Sequence, residues 1–283
     1  TNLSKIYEID KNKIKKLKKK FPNVKFVSNE NEIYKDKNIN LVSIASYDNF
    51  HFKQIINCLK NKKDIFIEKP ICLNLKELKE INRYYKKTKL NISCNLILRS
   101  SPQFKKIYTM NKKNKFGKIF YIEGDYNYGR VEKITNGWRN KIPFYSVTYG
   151  GGVHMIDLVT WIVNELPFQV KADSNKIVTK NSLFKYKDFS VALLKFKSGK
   201  IAKISSNFGC MIPHHHSLNI FGTKSTLIQN FKGASFYTSR SKNIKSSEFK
   251  INFKNNQKNN LLKDFVLSII GKKKNPIINF KEI

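Results

Sequence analysis

Between residues 4 and 95, short apolar runs alternate with lysine-studded amphipathic stretches, and this rhythm constrains the fold more than any other feature of the chain. Residues 4–9 read as a strand ending in Asp10, and residues 11–21 set Ile14, Leu17 and Phe21 on one helical stripe. Residues 26–27 are a short apolar segment, and residues 41–45 form an apolar run of the kind a strand buried on both faces shows. Residues 49–61 carry Phe52, Ile55, Ile56 and Leu59 at helical spacing, and residues 64–67 form another buried strand. Asn74 with Glu77 three residues later marks a helix start, Leu78, Ile81 and Tyr85 supply that helix's apolar face, and residues 90–94 close the series as a strand. Strand and helix in regular succession mean right-handed crossovers on a parallel sheet.

Beyond residue 96 the period changes to two. Residues 118–128 alternate, residues 189–196 connect through Ser198-Gly199 to residues 200–208, and residues 217–221 connect through Gly222-Thr223-Lys224 to residues 225–230. Helical stretches at 102–108 and 154–163 interrupt them. The expected architecture is therefore an α/β chain: a Rossmann-like parallel-sheet domain over residues 1–97, then an α+β domain with a largely antiparallel open sheet over residues 98–283. The polar, lysine-rich stretch 238–257 reads as a loop or exposed hairpin.

Charge matters because it points toward the wrong partner. With 55 Lys and Arg against 20 Asp and Glu, the formal net charge is +35, which at first suggests nucleic acid or an anionic membrane. Yet only Arg83, Arg99, Arg130, Arg139 and Arg240 are arginines, and the lysines are spread along the whole length. Phosphate and base-edge readout favour the bidentate guanidinium on a concentrated face, so solvated lysines without a specific nucleic-acid partner are the expectation. No run of about 18 apolar residues offers a membrane span. Cys58, Cys72, Cys94 and Cys210 show no C-x-x-C spacing, which suits buried thiols in a reducing cytoplasm.

In an open parallel sheet, ligands sit beyond the carboxyl ends of the strands. The residues there are Asp10, then Ser46, Tyr47, Asp48, Asn49, Phe50 and His51, then Glu68, Lys69 and Pro70, then Asn95. An acid at the end of an early strand suits the hydroxyls of an adenosine ribose. Asp48 and Asn49 either reach a ligand or cap the helix that follows, and His51 either joins them or is a surface histidine.

The stretch from Leu41 to Pro70, with its strand, polar turn, His51-bearing helix, buried strand and Glu68-Lys69-Pro70, resembles the Gfo/Idh/MocA family of nicotinamide-dependent oxidoreductases. Gly137-Trp138-Arg139, the run Gly150-Gly151-Gly152-Val153-His154-Met155-Ile156-Asp157 and the Gly222-Thr223-Lys224 turn are similar to segments of that family. The resemblance implies NAD(H), with NADP(H) as the alternative, bound through Asp10, Ser46, Asn49, His51, Glu68, Lys69, Asn95 and Arg139. Asp10 favours NAD because a carboxylate repels a 2′-phosphate, while Lys11 and Lys13 leave NADP open. It further implies that Lys69 takes the hydroxyl proton as hydride leaves the carbinol carbon, a role open to a lysine whose pKa burial and a positive nicotinamide lower. His154 would share that transfer or orient the substrate, the alternative being a histidine packed in its helix. Lys69, Arg99, Tyr128, His154 and Asp157 would bind the substrate, a sugar, cyclitol or nucleotide-activated sugar, with Tyr126, Arg130 and Arg139 nearby in sequence. Self-association through the second-domain sheet follows from the same resemblance.

Two departures stand out. Many members place an aspartate four residues before the helix histidine, where this chain has Gly150; Asp157, one turn after His154 on the same face, is the expected substitute. The chain also begins at Thr1 without a first strand and G-x-G-x-x-G loop, which need on the order of 25 to 30 residues; a piece of a longer reading frame is the expectation. His214-His215-His216 would alternate faces along a strand and so is not expected to converge on a metal. The competing functional reading is a non-catalytic sugar-binding or scaffold protein of the same fold.

Overall fold

The computed structural model describes residues 2–241, 247–248 and 260–283. The chain forms two compact units, Thr1–Asn95 with Asn259–Ile283, and Leu96–Lys258.

The first unit runs β1 (Lys5–Tyr7), α1 (Lys11–Lys20), β2 (Lys25–Val27), α2 (Asn31–Tyr34), β3 (Leu41–Ile44), α3 (His51–Lys60), β4 (Asp64–Ile67), α4 (Leu75–Tyr85) and β5 (Ile92–Cys94). All its strand pairs are parallel, arranged as a two-stranded sheet β1-β2 and a three-stranded sheet β3-β4-β5. Helix starts follow from local chemistry: Asp10 caps α1 by accepting from the Asn12 and Lys13 amides, and Asn74 caps α4 from the Glu77 amide while Glu77 accepts from Leu73 N–H at 2.9 Å. The core is the apolar faces of α3 and α4 against the central strands, with Ile55, Ile65, Ile67 and Ile81 fully buried. Cys58 and Cys94 are buried within it, and burial pushes the Cys58 thiol up to about 12.

The second unit contains α5 (Pro102–Lys112), β6 (Ile119–Asn127), α6 (Glu132–Thr135), α7 (Val153–Val163), β7 (Gln169–Asn175), β8 (Phe189–Lys195), β9 (Ile201–Asn207), β10 (His215–Gly222), β11 (Thr226–Asn230), β12 (Gly233–Tyr237) and β13 (Ser247–Glu248). The strands form one sheet in the order β13-β12-β11-β10-β6-β9-β8-β7, antiparallel at every pair except β6 with β9. One face buries Ile122, Tyr126, Ala202, Ile204, Leu218 and Ile220, and α7 packs on β6 and β9. Tyr108 of α5 stacks on Trp161 of α7 with centroids 4.1 Å apart, joining the two helices.

β7 escapes sequence reading because six of its seven residues are exposed and it is held by β8 alone, so no burial imposes alternation. Of the polar stretch 238–257, residues 242–246 and 249–257 lie outside the described residues, and Ser247–Glu248 pair with β12.

The expected second domain, 98–283, needs correction at its end. The segment from α8 (Asn260–Ile269) onward belongs to the first unit. Fully buried Phe265 sets its ring 6.1 Å from Phe66 of β4, and Phe280 lies 4.3 Å from Tyr85 of α4. Asp264 accepts from Ile277 N–H at 2.6 Å and pairs with Lys273, closing the turn after α8. An amphipathic helix settles where apolar surface is uncovered, and β4 offers that surface to Phe265. Phe265→Ala should therefore destabilise the first unit by about 3–5 kcal/mol, the range for deleting a buried aromatic ring; urea unfolding followed by a first-unit probe checks it.

Candidate active site

In the first unit the parallel ladder continues past the strand ends: Glu68 N–H donates to Ile44 O at 2.9 Å and Asn95 N–H to Ile67 O at 2.8 Å. This brings the residues after β3, β4 and β5 to one rim. Lys69, half-buried, lies between Glu68 and Pro70 with a cis peptide bond to the proline. Asn95 donates its amide to Glu68 Oε1 at 2.6 Å, while its Oδ1 is buried with no partner.

Three neighbours are already engaged. Asp10 Oδ1 accepts from the Asn12 and Lys13 amides, so this carboxylate starts a helix while staying partly exposed. Ser46 donates to Gln54 Oε1 at 2.6 Å, and Gln54 donates onward to Glu30 at 3.0 Å. His51 departs most from expectation: fully buried, its ring faces Pro70 O at 2.6 Å through Nδ1 and Ser46 O at 3.2 Å through Nε2. The ring has no exposed surface, and both of its nitrogens face backbone carbonyls. Asn49 is exposed in the turn Asp48–Phe50, and Phe50, the N-cap of α3, supplies no side-chain cap.

In the second unit, Tyr126, Tyr128, His154 and Arg139 come together. The His154 ring lies 6.1 Å from Tyr126, Tyr128 packs 4.6 Å from Phe208, and the Arg130 and Arg139 guanidinium groups sit 5.5 and 5.9 Å from the Tyr128 ring centre. Arg99 and Asp157 are brought together differently. Arg99 donates from Nε and Nη2 to the Asp157 carboxylate at 2.7–3.1 Å, both residues buried, so these expected substrate ligands serve each other.

Gly150 sits in a π-helical turn, Thr148–Gly152, leading into α7. A Cβ there would lie 2.0 Å from the Tyr145 hydroxyl, and one on Gly151 would lie 2.4 Å from the Tyr126 ring. The Tyr145 hydroxyl accepts from Arg139 Nε at 2.9 Å. The space where an acidic side chain would begin is thus filled by a phenol held by Arg139, and the Asp157 carboxylate is paired with Arg99.

His214 and His216 are the residues that sequence reading missed. Their rings lie 5.2 Å apart, 5.3 and 5.2 Å from Tyr126, and His216 is 6.2 Å from His154. The signal was present: alternation along a strand separates His215 from its neighbours, yet puts His214 and His216 on one face, and β10 pairs His216 directly with Tyr126 of β6. Among the described residues no group of three His, Cys, Asp or Glu could hold a metal.

The matches to known proteins follow these two halves. A family model described as "Oxidoreductase family, NAD-binding Rossmann fold" matches residues 1–96, and the "GFO/IDH/MocA C-terminal domain" matches residues 104–228. The chain belongs to the Gfo/Idh/MocA oxidoreductase family. It is 25% identical over 226 residues to a myo-inositol 2-dehydrogenase of Thermotoga maritima, a match covering 77% of this chain and 65% of that protein. Two solved structures share the fold: a myo-inositol 2-dehydrogenase from Lactobacillus plantarum, at TM-score 0.79 and 17% identity over 96% of this chain and 83% of that one, and a levoglucosan dehydrogenase in complex with NADH and L-sorbose, at 0.82 and 16% over 95% and 81%.

Against the dinucleotide of the family's Rossmann unit, the residues fit at two ends. Asn95 Oδ1, an unpartnered buried acceptor at a strand end, suits an amide or hydroxyl donor, and Asp10 offers a partly exposed carboxylate after β1. No glycine occurs before Gly117, so residues 1–95 supply no glycine-rich phosphate turn.

Two predictions follow from the buried groups. Asp157→Ala removes the carboxylate paired with the buried Arg99 guanidinium and should destabilise by about 3–5 kcal/mol, read by chemical unfolding. Burial holds the His216 imidazole down at about 3, with His214 and His215 adding to the effect. The unfolded chain, at the ordinary 6.5, then binds a proton the folded state does not, so stability is full above about 6.5 and declines as pH falls toward 3. In His216→Phe that slope should flatten, checked by melting temperature against pH.

Proposed function

We propose that this chain is an NAD-dependent oxidoreductase acting on a carbinol or ketone carbon of a sugar or cyclitol. The observation that carries the reading is Lys69, half-buried on the strand-end rim of a unit matched by an NAD-binding Rossmann model. Named relatives that oxidise inositol and bind NADH with a sugar support the substrate class. NAD, when bound, supplies the acceptor for the hydride that leaves the carbinol carbon. The uncharged Lys69 amine takes the hydroxyl proton as the C=O bond forms, and returns it in the reductive direction. Asn95 offers its Oδ1 to the nicotinamide end and Asp10 its carboxylate to the adenosine ribose, which favours NAD over NADP. Tyr128, His154 and Arg139, with His214 and His216 beside them, form an aromatic and imidazole face suited to a ring rich in hydroxyls.

The experiment uses the protein expressed from its complete reading frame. NADH titration followed by nicotinamide fluorescence should show binding that weakens several-fold in Asp10→Ala. With NAD and a panel containing myo-inositol, scyllo-inositol and simple sugars, turnover should appear and fall about 100-fold or more in Lys69→Ala, with NADH affinity unchanged. Full turnover in Lys69→Ala removes the proton-transfer role. A protein that binds the panel sugars but never turns them over supports the scaffold reading, which the missing acid at Gly150 motivates.

The face of the eight-stranded sheet opposite α7 carries Tyr121, Leu193 and Phe221 beside ion-paired Asp125 and Lys203. We place self-association there, and Leu193→Glu should shift the protein to a smaller species in light scattering.

A further inference from the structure

His51 ties the loop that carries the proposed chemistry to the start of α3. It opens α3, but its side chain turns back from the helix to the residues that follow β3 and β4. The Pro70 carbonyl that it meets at 2.6 Å belongs to the residue directly after Lys69, and the Ser46 carbonyl at 3.2 Å lies two residues past the end of β3. Neither carbonyl belongs to a strand ladder, because the pairing of β3 with β4 ends at Ile44 and Ile67 and the last rung beyond it is Glu68 N–H to Ile44 O. Pro70 has no amide with which to extend the ladder. The hydrogen bond that the Pro70 carbonyl does receive comes from the His51 ring.

Resting on the reading of Lys69 as proton acceptor, we propose that His51 is a positioning residue, a buried clasp that ties the Lys69-Pro70 segment to the first turn of α3 and so sets where the Lys69 amine stands. The shorter contact assigns the ring proton: Nδ1–H donates to Pro70 O. The ring's complete burial makes that bond costly to lose, since a carbonyl stripped of its donor there is left unsatisfied. The effect on chemistry is steep, because a misplacement of about 1 Å lowers the rate about 100-fold.

Three variants separate positioning from bulk stability. An Asn side chain places an amide donor where Nδ1 stands, whereas Gln places one nearer Nε2. Hydrogen exchange, with and without NADH, should rise at the 46–50 and 68–72 segments in His51→Ala and His51→Gln and stay near wild type in His51→Asn. With NAD and myo-inositol, His51→Ala and His51→Gln should lose kcat by about 100-fold while both KM values move less than a few-fold, and His51→Asn should recover most of it. In the wild-type protein, nitrogen NMR of labelled histidine should show the His51 proton on Nδ1. Unchanged exchange in a folded His51→Ala, equal behaviour of the Asn and Gln variants, or a proton on Nε2 would each overturn the clasp. If His51→Ala fails to fold, the Asn and Gln pair decides. Turnover surviving in Lys69→Ala would instead remove the reading of Lys69, and the exchange data would then judge the clasp by themselves.

Discussion

Parallel pairing of β3, β4 and β5 is the constraint on which the first unit rests. Ile65 and Ile67 are buried completely, so these strands cannot slip by one residue without turning their apolar set the wrong way. That register delivers Ser46, Lys69 and Asn95, each a residue or two past its strand, to one rim. Ladder bonds beyond the strand ends and the His51 contacts extend the order of the sheet into the loops, where functional groups need rigid support.

In the second unit the deciding constraint is close approach. The Gly-rich turn before α7 lets the helix come down on the sheet so closely that a Cβ on Gly150 or Gly151 would collide with the Tyr145 hydroxyl or the Tyr126 ring. This approach builds the cluster of Tyr126, His154, His214 and His216 and leaves no room for an acidic side chain at position 150. The departure from the family pattern is a change in how the space is filled. Arg139, expected at the cofactor, donates from Nε to the phenol that fills it.

Much of this was legible in the residues. Strand–helix alternation up to Asn95, period-two segments after it and the Glu68-Lys69-Pro70 position past a buried strand all depend on local pattern, which burial imposes residue by residue. What could not be read were partners distant in sequence. Arg99 and Asp157 each read as a substrate ligand, and only the fold brings these residues, 58 positions apart, into one ion pair. His51 reads as a ligand by type and place, and only the fold supplies the Pro70 carbonyl that its ring meets. The return of α8 to the first unit was hidden for the same reason, since an amphipathic helix states that it needs an apolar partner without saying which.

The sequence by itself determined the two kinds of sheet, the rim of residues beyond the parallel strands and the family resemblance, because periodicity and short motifs are local properties. It also determined that fifty lysines are background from which Lys69 is distinguished by position. Only the tertiary structure decided which polar groups spend their hydrogen bonds on each other and which keep an atom to offer. Satisfying buried donors and acceptors is a property of the whole packed interior, and no window along the chain contains both partners.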